Sequence, residues 1–358
     1  GGAVAVGGGW VGGGWWGGAS ATVGVGVGRG ELGRGSGWGR RLRDGLLVLV
    51  VAGSLSALAP GAAWLLAGRG LEGVGVVLIT VAAPTLIASL TRRQDIGLAM
   101  GVWALWMPVG SMLMLALAPL LLGSFGWRGL WMVSALAALA VLAMVPGLPR
   151  DIGLPSGGRL DLSVLRSSGP WWLALAFFCF SSQFFSVFTF LPTYLGNSLG
   201  LDTAAATLAS ALVPAAIIPG NLLGGYLVHR GWRPSSLLAL PPLGLLVVLP
   251  GMLLLPHTTG TMYLLLPLYG FLLGLIPTGI FTQAPLLAPT PPATGPILGL
   301  ALSGQGLGIL VGPPLAGLLL ERTGSWAWPV LLLCGALVGL IVCALALRRL
   351  TTLSIRLD

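Results

Sequence analysis

The chain has 358 residues, of which 56% are hydrophobic and 8% are charged, and its mean hydropathy is +0.96. A soluble domain cannot bury so much apolar surface, because a helix that is hydrophobic all round needs lipid or other helices on every side. The net charge of +9 would suit a nucleic-acid binder, but the longest basic cluster is Arg40, Arg41 and Arg43. That cluster is too short for a basic tail, so the composition favours a membrane protein with no nucleic-acid partner.

The first 39 residues are anomalous, because close to half of them are glycine. Each glycine in a helix interior costs about 1 kcal/mol relative to alanine, so this segment is a poor membrane span. Three interpretations stay open: a degraded or out-of-frame stretch in place of the first helices, a glycine-rich span over residues 3–27, or a nucleotide-binding loop. The loop is disfavoured because no Gly-x-Gly-x-x-Gly stands between a strand and an amphipathic helix. The first methionine is Met100, so we expect a partial sequence.

Ten long apolar segments follow from Gly45 onward. About 20 consecutive apolar residues cross the hydrocarbon core as a helix. The predicted spans are residues 45–62, 64–90, 96–122, 127–148, 170–195, 203–228, 235–255, 261–288, 296–320 and 327–347. The sequence therefore predicts an all-α, multi-pass membrane protein whose immediate surroundings are the lipid bilayer.

The arginines fix the orientation of these spans. Two, Arg128 and Arg322, fall in one set of alternate gaps, and Arg69 lies within a span. The other set holds Arg29, Arg34, Arg40, Arg41, Arg43, Arg92, Arg93, Arg150, Arg159, Arg166, Arg230, Arg233, Arg348, Arg349 and Arg356. Basic residues are retained on the cytoplasmic side, so we predict a bacterial inner-membrane protein with a cytoplasmic C-terminus.

Residues 149–168 form a polar break that we interpret as a cytoplasmic linker between two halves. Residues 40–148 would be the N-terminal half and residues 169–358 the C-terminal half. The halves echo each other, because span 96–122 runs into Gly126-Trp127-Arg128 and span 296–320 runs into Gly324-Ser-Trp326. Parallel repeats about an axis normal to the membrane are one common transporter architecture.

Three stretches then resemble motifs of the major facilitator superfamily. Leu65-Leu-Ala-Gly-Arg69-Gly-Leu-Glu72-Gly73-Val-Gly75 is similar to the fourth-helix motif, and Gly225-Tyr-Leu-Val-His-Arg-Gly-Trp-Arg233 to the loop motif, with His229 where aspartate is usual. Gly308-Ile-Leu-Val-Gly312-Pro313-Pro314-Leu-Ala-Gly317 resembles the glycine-proline kink motif, of which Gly101 and Gly110 keep part in the fifth helix. In the first loop motif Ser36 stands near the place of the acidic residue.

Within the superfamily, Gly101-Val-Trp-Ala-Leu-Trp-Met-Pro-Val-Gly110 followed by Gly126-Trp-Arg-Gly-Leu-Trp131 looks most like the cyanate-permease-related branch. The resemblance implies a two-half bundle of twelve helices, ten of them clear here, that moves a solute by alternating access. It also implies a cavity lined by helices one, four, seven and ten, with contributions from two, five, eight and eleven.

Arg69 and Glu72 are the candidate coupling residues, because they lie one turn apart on one helix face. Ionisable groups in a bilayer usually face the bundle interior and serve transport or proton relay. The alternative is a neutralised pair that locks helix packing. Carried over from the family, the other candidates for substrate binding are Trp103, Trp106, Gln183, Phe184, Phe188, Asn221, Thr278, Gln283, Ser303 and Gln305. A buried amide needs a partner, which is a solute or a neighbouring helix.

Glycine repeats and prolines have structural interpretations. Small residues four apart let helix backbones approach, as at Gly97 and Gly101 or at Gly304, Gly308 and Gly312. Prolines such as Pro108 supply kinks whose freed backbone groups neighbouring helices can satisfy.

These residues predict a secondary transporter of a small anion or polar metabolite. We expect an ion gradient to drive it, with protons as one candidate coupling ion. A drug or metabolite efflux antiporter and a transport-dead remnant are the alternatives. The histidines lie at span ends and no aspartate lies inside a clear span, so we predict no enzyme, cofactor or metal site. We expect a monomer.

The orientation is testable with a reporter fused at Leu353. We expect the reporter to be active in the cytoplasm, because the arginine-rich gaps should face that side. A fusion placed after Thr258, in an arginine-free gap, is the matched control and should report the opposite compartment. A reporter at Leu353 that scores extracytoplasmic contradicts the orientation.

Overall fold

The computed structural model describes residues 38–144, 162–290 and 293–354. Every regular element in these ranges is helical. The helices are α1 (Trp38–Ala57), α2 (Ala62–Leu90), α3 (Ile96–Trp103), α4 (Trp106–Met144), α5 (Ser168–Leu199), α6 (Thr203–Ser210), α7 (Leu212–His229), α8 (Pro234–Leu254), α9 (Thr259–Leu287), α10 (Thr294–Thr323) and α11 (Ala327–Ser354). Short 3₁₀ helices cover Arg93–Asp95 and Leu162–Arg166.

The predicted all-α membrane architecture is confirmed. Nine helical segments of the described ranges are long and apolar enough to cross a membrane. The helix that corresponds to predicted span 45–62 is α1, which begins earlier, at Trp38, and ends at Ala57. It differs from the nine because Arg40, Arg41, Arg43 and Asp44 lie near its start.

Two predicted spans are divided in the structure. Span 96–122 is interrupted at Ala104 and Leu105, just before Pro108, and span 203–228 is interrupted at Ala211, just before Pro214. Proline has no N–H and its ring clashes with the preceding turn, so both breaks lie where proline disrupts helix bonding.

A third change of direction separates the predicted spans 96–122 and 127–148. The helical run of α4 continues from one to the other and turns at Gly126, whose φ is 62°. That left-handed conformation is accessible to glycine without a Cβ penalty.

Two predicted segments lie largely outside the described residues. The described part of the glycine-rich segment 1–39 is its last two residues, which begin α1. Residues 149–161 of the predicted linker also lie outside. Residues 162–168 form the Leu162–Arg166 3₁₀ helix and the start of α5.

The connections define two sides of the bundle. We call the linker side the ends of the helices that adjoin residues 91–95, residues 230–233 and the start of α5. The far side comprises the connections 58–61, 200–202, 255–258 and 324–326. Helices α1 to α4 pack with one another, α5 to α11 form a second body, and the two bodies meet chiefly where α3 packs on α7.

Close helix contacts in the second body depend on glycine. A Cβ on Gly304 would collide with the carbonyl oxygen of Ala174 and lie 2.7 Å from its carbonyl carbon, and one on Gly312 would lie 2.6 Å from Ser182 Cα. The same applies where Gly274 of α9 meets Gly220 of α7. Small residues thus bring α5 against α10, as predicted from their spacing, and α7 against α9.

Replacing Gly304 with alanine should lower the thermal stability of the purified protein. The added methyl group meets backbone rather than a flexible side chain, and overpacking of this kind costs about 1–3 kcal/mol. Gly299→Ala on the same helix is the control, because a Cβ there has no neighbour within 4 Å. Melting temperatures in detergent check the pair; equal values for both variants would show that the α5–α10 contact is not tight.

Candidate functional site

A charged pair is embedded in the N-terminal half. Arg69 of α2 is 8% exposed and forms an ion pair with Glu72, one turn later. Its guanidinium carbon lies 3.5 Å from the ring centroid of Trp131 in the second arm of α4. The neighbouring Gly68 packs on Ser56 of α1. Arg69 is therefore held by an opposite charge and by the face of an indole, which is favourable for a cation away from water.

The Arg69 guanidinium keeps donor capacity. Within the described ranges its buried Nε has no hydrogen-bond acceptor. A guanidinium carries five N–H donors in a planar fork that suits carboxylates and related oxyanions. Glu72 contacts Nη2, and the buried Nε on the same edge of the guanidinium keeps an N–H that is free among the described residues.

A second polar position lies in the middle of α5. Gln183 is fully buried, and its Nε2 donates a hydrogen bond of 2.5 Å to the Tyr269 hydroxyl of α9. Its Oε1 is buried and accepts no hydrogen bond from the described residues. The adjacent Phe184 stacks on Phe180 and Phe188, with ring centroids 5.9 Å and 5.6 Å apart. The amide is therefore bonded to a neighbouring helix on one side and unsatisfied on the other.

Aromatic rings connect the two halves near the linker side. Trp103, the last residue of α3, lies 6.5 Å from Phe281 of α9 in an edge-to-face arrangement, and 6.3 Å from Trp106. Phe281 in turn lies 5.9 Å from Phe177 of α5. Trp103 thus belongs to a contact between the halves, with Trp106 beside it in its own half, and Trp103 Nε1 is a buried donor without an acceptor in the described part of the chain.

Asn221 is also fully buried, and the structure gives it protein partners. Its Nδ2 donates a hydrogen bond of 3.1 Å to the carbonyl oxygen of Ala104, between α3 and α4. The Thr278 hydroxyl donates to the Asn221 carbonyl oxygen at 3.1 Å, with Asn221 Oδ1 at 3.4 Å. Two predicted site residues, Asn221 and Thr278, therefore form one network that reaches the other half.

Three further candidates lie on α9 and α10. Gln283 is 1% exposed, and its Nε2 has no acceptor among the described residues. Gln305 is half-buried on α10. Ser303 donates to the Gly299 carbonyl oxygen of its own helix at 3.0 Å, so part of its hydrogen-bonding capacity is already used.

The linker side is closed between α3 and α7. A Cβ on Gly101 would lie 3.0 Å from Gly225 Cα, and one on Gly97 would lie 2.6 Å from Val228 Cβ. His229 Nδ1 donates a hydrogen bond of 2.9 Å to the Gln94 carbonyl oxygen and lies 3.5 Å from Asp95 Oδ1. His229, which replaces the usual aspartate of the loop motif, thus contacts the opposite half.

The candidate residues form several groups and not one pocket. The contacts described above join Arg69 and Glu72 to Trp131, Gln183 to Tyr269, Asn221 to Ala104 and Thr278, and Trp103 to Phe281. Sequence reasoning missed Tyr269, although a tyrosine inside an apolar span needs a hydrogen-bond partner as an amide does. It also missed Trp131 as the partner of Arg69, and the Ala104 carbonyl, for which the signal was Pro108 four residues later.

The comparison with protein families decides the identity. The model that describes the Major Facilitator Superfamily matches residues 38–295. The chain belongs to the major facilitator superfamily. Members of this superfamily are transporters and not enzymes, so the protein is a multi-pass secondary transporter.

Individual relatives agree with this assignment. An uncharacterized transporter of Bacillus subtilis, YycB, is 28% identical over 319 residues, which are 86% of this chain and 77% of the relative. The probable sulfoacetate transporter SauU of Cupriavidus necator is 32% identical over 176 residues, which are 47% of this chain and 40% of SauU.

Solved structures show the same fold. The human organic anion transporter MFSD10 aligns with a TM-score of 0.78 at 17% identity, covering 95% of this chain and 84% of MFSD10. The E. coli fucose:proton symporter FucP aligns with a TM-score of 0.74 at 15% identity, covering 93% of this chain and 88% of FucP. At these identities the likeness concerns the fold.

Proposed function

We propose that this transporter moves a small anion by alternating access, using an ion gradient. The observation that carries the proposal is Arg69, a buried guanidinium whose charge Glu72 balances and whose Nε has no acceptor in the described ranges. A buried cation with donor capacity to spare favours an anion over a cationic solute, because Glu72, the carboxylate beside it, is already paired with Arg69.

The substrates named for similar proteins support the same class. SauU is a probable sulfoacetate transporter and MFSD10 an organic anion transporter. The likeness of residues 101–110 and 126–131 to the cyanate-permease-related branch agrees with them. FucP is a fucose:proton symporter, so a polar neutral solute is the alternative substrate class. The coupling of FucP to protons supports a proton gradient as the energy source.

The arginine distribution supports an orientation with the linker side and the C-terminus in the cytoplasm. Bacterial relatives such as YycB support the plasma membrane as the location. In that orientation the close contact between α3 and α7 lies on the cytoplasmic side.

Uptake into proteoliposomes tests the proposed substrate class. We expect a labelled sulfonate, a monocarboxylate or cyanate to accumulate above protein-free vesicles when an ion gradient is imposed. Accumulation should stop when an ionophore collapses that gradient and should not need ATP. Transport confined to a cationic dye would contradict the anion proposal and favour an efflux antiporter, and failure of every solute in the panel would favour a transport-dead chain.

The variant Arg69→Gln tests the proposed role of the buried charge. It keeps hydrogen-bonding capacity but removes the fixed charge, so uptake should fall by at least about tenfold if an anion contact of more than 1.4 kcal/mol is lost. Folding is checked by melting temperature and by size-exclusion chromatography.

The double variant Arg69→Gln with Glu72→Gln is the matched control. It removes both charges and leaves no orphaned carboxylate, so it should restore stability but not transport. Native uptake by the double variant would show that the pair serves helix packing.

A further inference from the structure

The break between α3 and α4 leaves one backbone carbonyl without its normal donor. In a continuous helix the N–H of residue 108 would donate to the carbonyl oxygen of Ala104, but residue 108 is proline and has no N–H. The bonds on either side use other groups, since Leu105 N donates to Val102 O at 3.1 Å and Val109 N donates to Leu105 O at 3.0 Å. Ala104 is 4% exposed, so its carbonyl oxygen needs a partner inside the protein.

The partner comes from the other half of the transporter. Asn221 of α7 donates its Nδ2 to the Ala104 carbonyl oxygen at 3.1 Å. The short asparagine side chain reaches it because glycine brings the two backbones together: a Cβ on Gly101 would lie 2.9 Å from the Asn221 carbonyl oxygen. Thr278 of α9 holds the asparagine from its own half through the hydroxyl bond to the Asn221 carbonyl oxygen.

We infer that Asn221 is a positioning residue that holds the linker side closed, by supplying the hydrogen bond that Pro108 removes from Ala104. The two halves carry the donor and the acceptor, so separating α3 from α7 on the linker side breaks this bond and exposes the carbonyl to water or to a new partner. Its amide already has protein partners at both polar atoms, which favours this role over solute binding.

The inference rests on the proposed alternating access, but its test needs no substrate. Spin labels at Gln94→Cys and Arg230→Cys report the linker-side separation, because His229 Nδ1 lies 2.9 Å from the Gln94 carbonyl oxygen across the same seam. The native Cys179, Cys334 and Cys343 are replaced by alanine in every sample. Continuous-wave line broadening for the short distances and pulsed electron paramagnetic resonance for the long ones, both on the labelled protein in nanodiscs, then give the two populations.

Four backgrounds are compared: the parent, Asn221→Leu, Pro108→Ala, and the two changes together. Asn221→Leu should raise the ratio of long to short distances about tenfold, because a buried carbonyl loses its donor in the closed state. With Pro108→Ala the N–H of residue 108 can bond Ala104, so Asn221→Leu should then change the ratio by less than about twofold. Such non-additivity isolates the pairwise contact.

Gln183→Leu is the control for loss of a buried amide. Gln183 is buried as completely as Asn221, but its partner Tyr269 lies in the same half. It should lower the melting temperature and leave the distance ratio unchanged. The inference is overturned if Asn221→Leu leaves the ratio unchanged, or if it shifts the ratio equally with Pro108 and with Ala at that position.

Folding of the variants is part of the same test. If Asn221→Leu folds only together with Pro108→Ala, that rescue supports the inference. If Asn221→Leu folds neither with Pro108 nor with alanine at that position, Asn221→Ala replaces it, and the distance ratios are compared in the same way. If the parent protein takes up none of the proposed anions but the four backgrounds give the expected distance ratios, the result counts against the proposed substrate and not against the role of Asn221.

Discussion

The constraint on which this structure depends is that backbone polar groups inside a bilayer must be satisfied within the protein. Uninterrupted helices meet it by themselves, which is why long apolar helices dominate the described ranges. Each interruption creates a local need that a neighbouring helix has to meet. The break before Pro108 is the clearest case, because the carbonyl that it frees is bonded by a side chain from the opposite half.

Glycine is the second element of the same solution. A hydrogen bond from a side chain as short as asparagine requires two helix backbones in close contact. Gly97, Gly101 and Gly225 allow that contact between α3 and α7. Inside the second body Gly304 and Gly312 bring α10 against α5, where the Ser182 hydroxyl also donates to the Gly308 carbonyl oxygen at 3.3 Å. Close helix contacts therefore have two effects here. They pack the helices of the second body tightly, and they let a specific hydrogen bond form between the halves.

The sequence predicted the elements well and their partners poorly. Hydrophobic length located the spans, and small residues four apart located the tight faces, because both signals are local. The partners of buried polar groups are remote in the sequence: Gln183 bonds Tyr269 86 residues later, and Asn221 bonds Ala104 117 residues earlier. A single sequence says that such an amide needs a partner but does not say which helix supplies it. The same limit applies to Arg69, for which Glu72 was predictable by spacing and Trp131 was not.

The bond between Asn221 and Ala104 also has a consequence for biogenesis. The N-terminal half leaves the ribosome first, so α3 and α4 enter the membrane while the Ala104 carbonyl still has no donor from α7. That half therefore carries an unsatisfied group until the chain has grown by more than a hundred residues, to Asn221. The docking of α7 against α3 then supplies the missing donor and joins the two halves in one step.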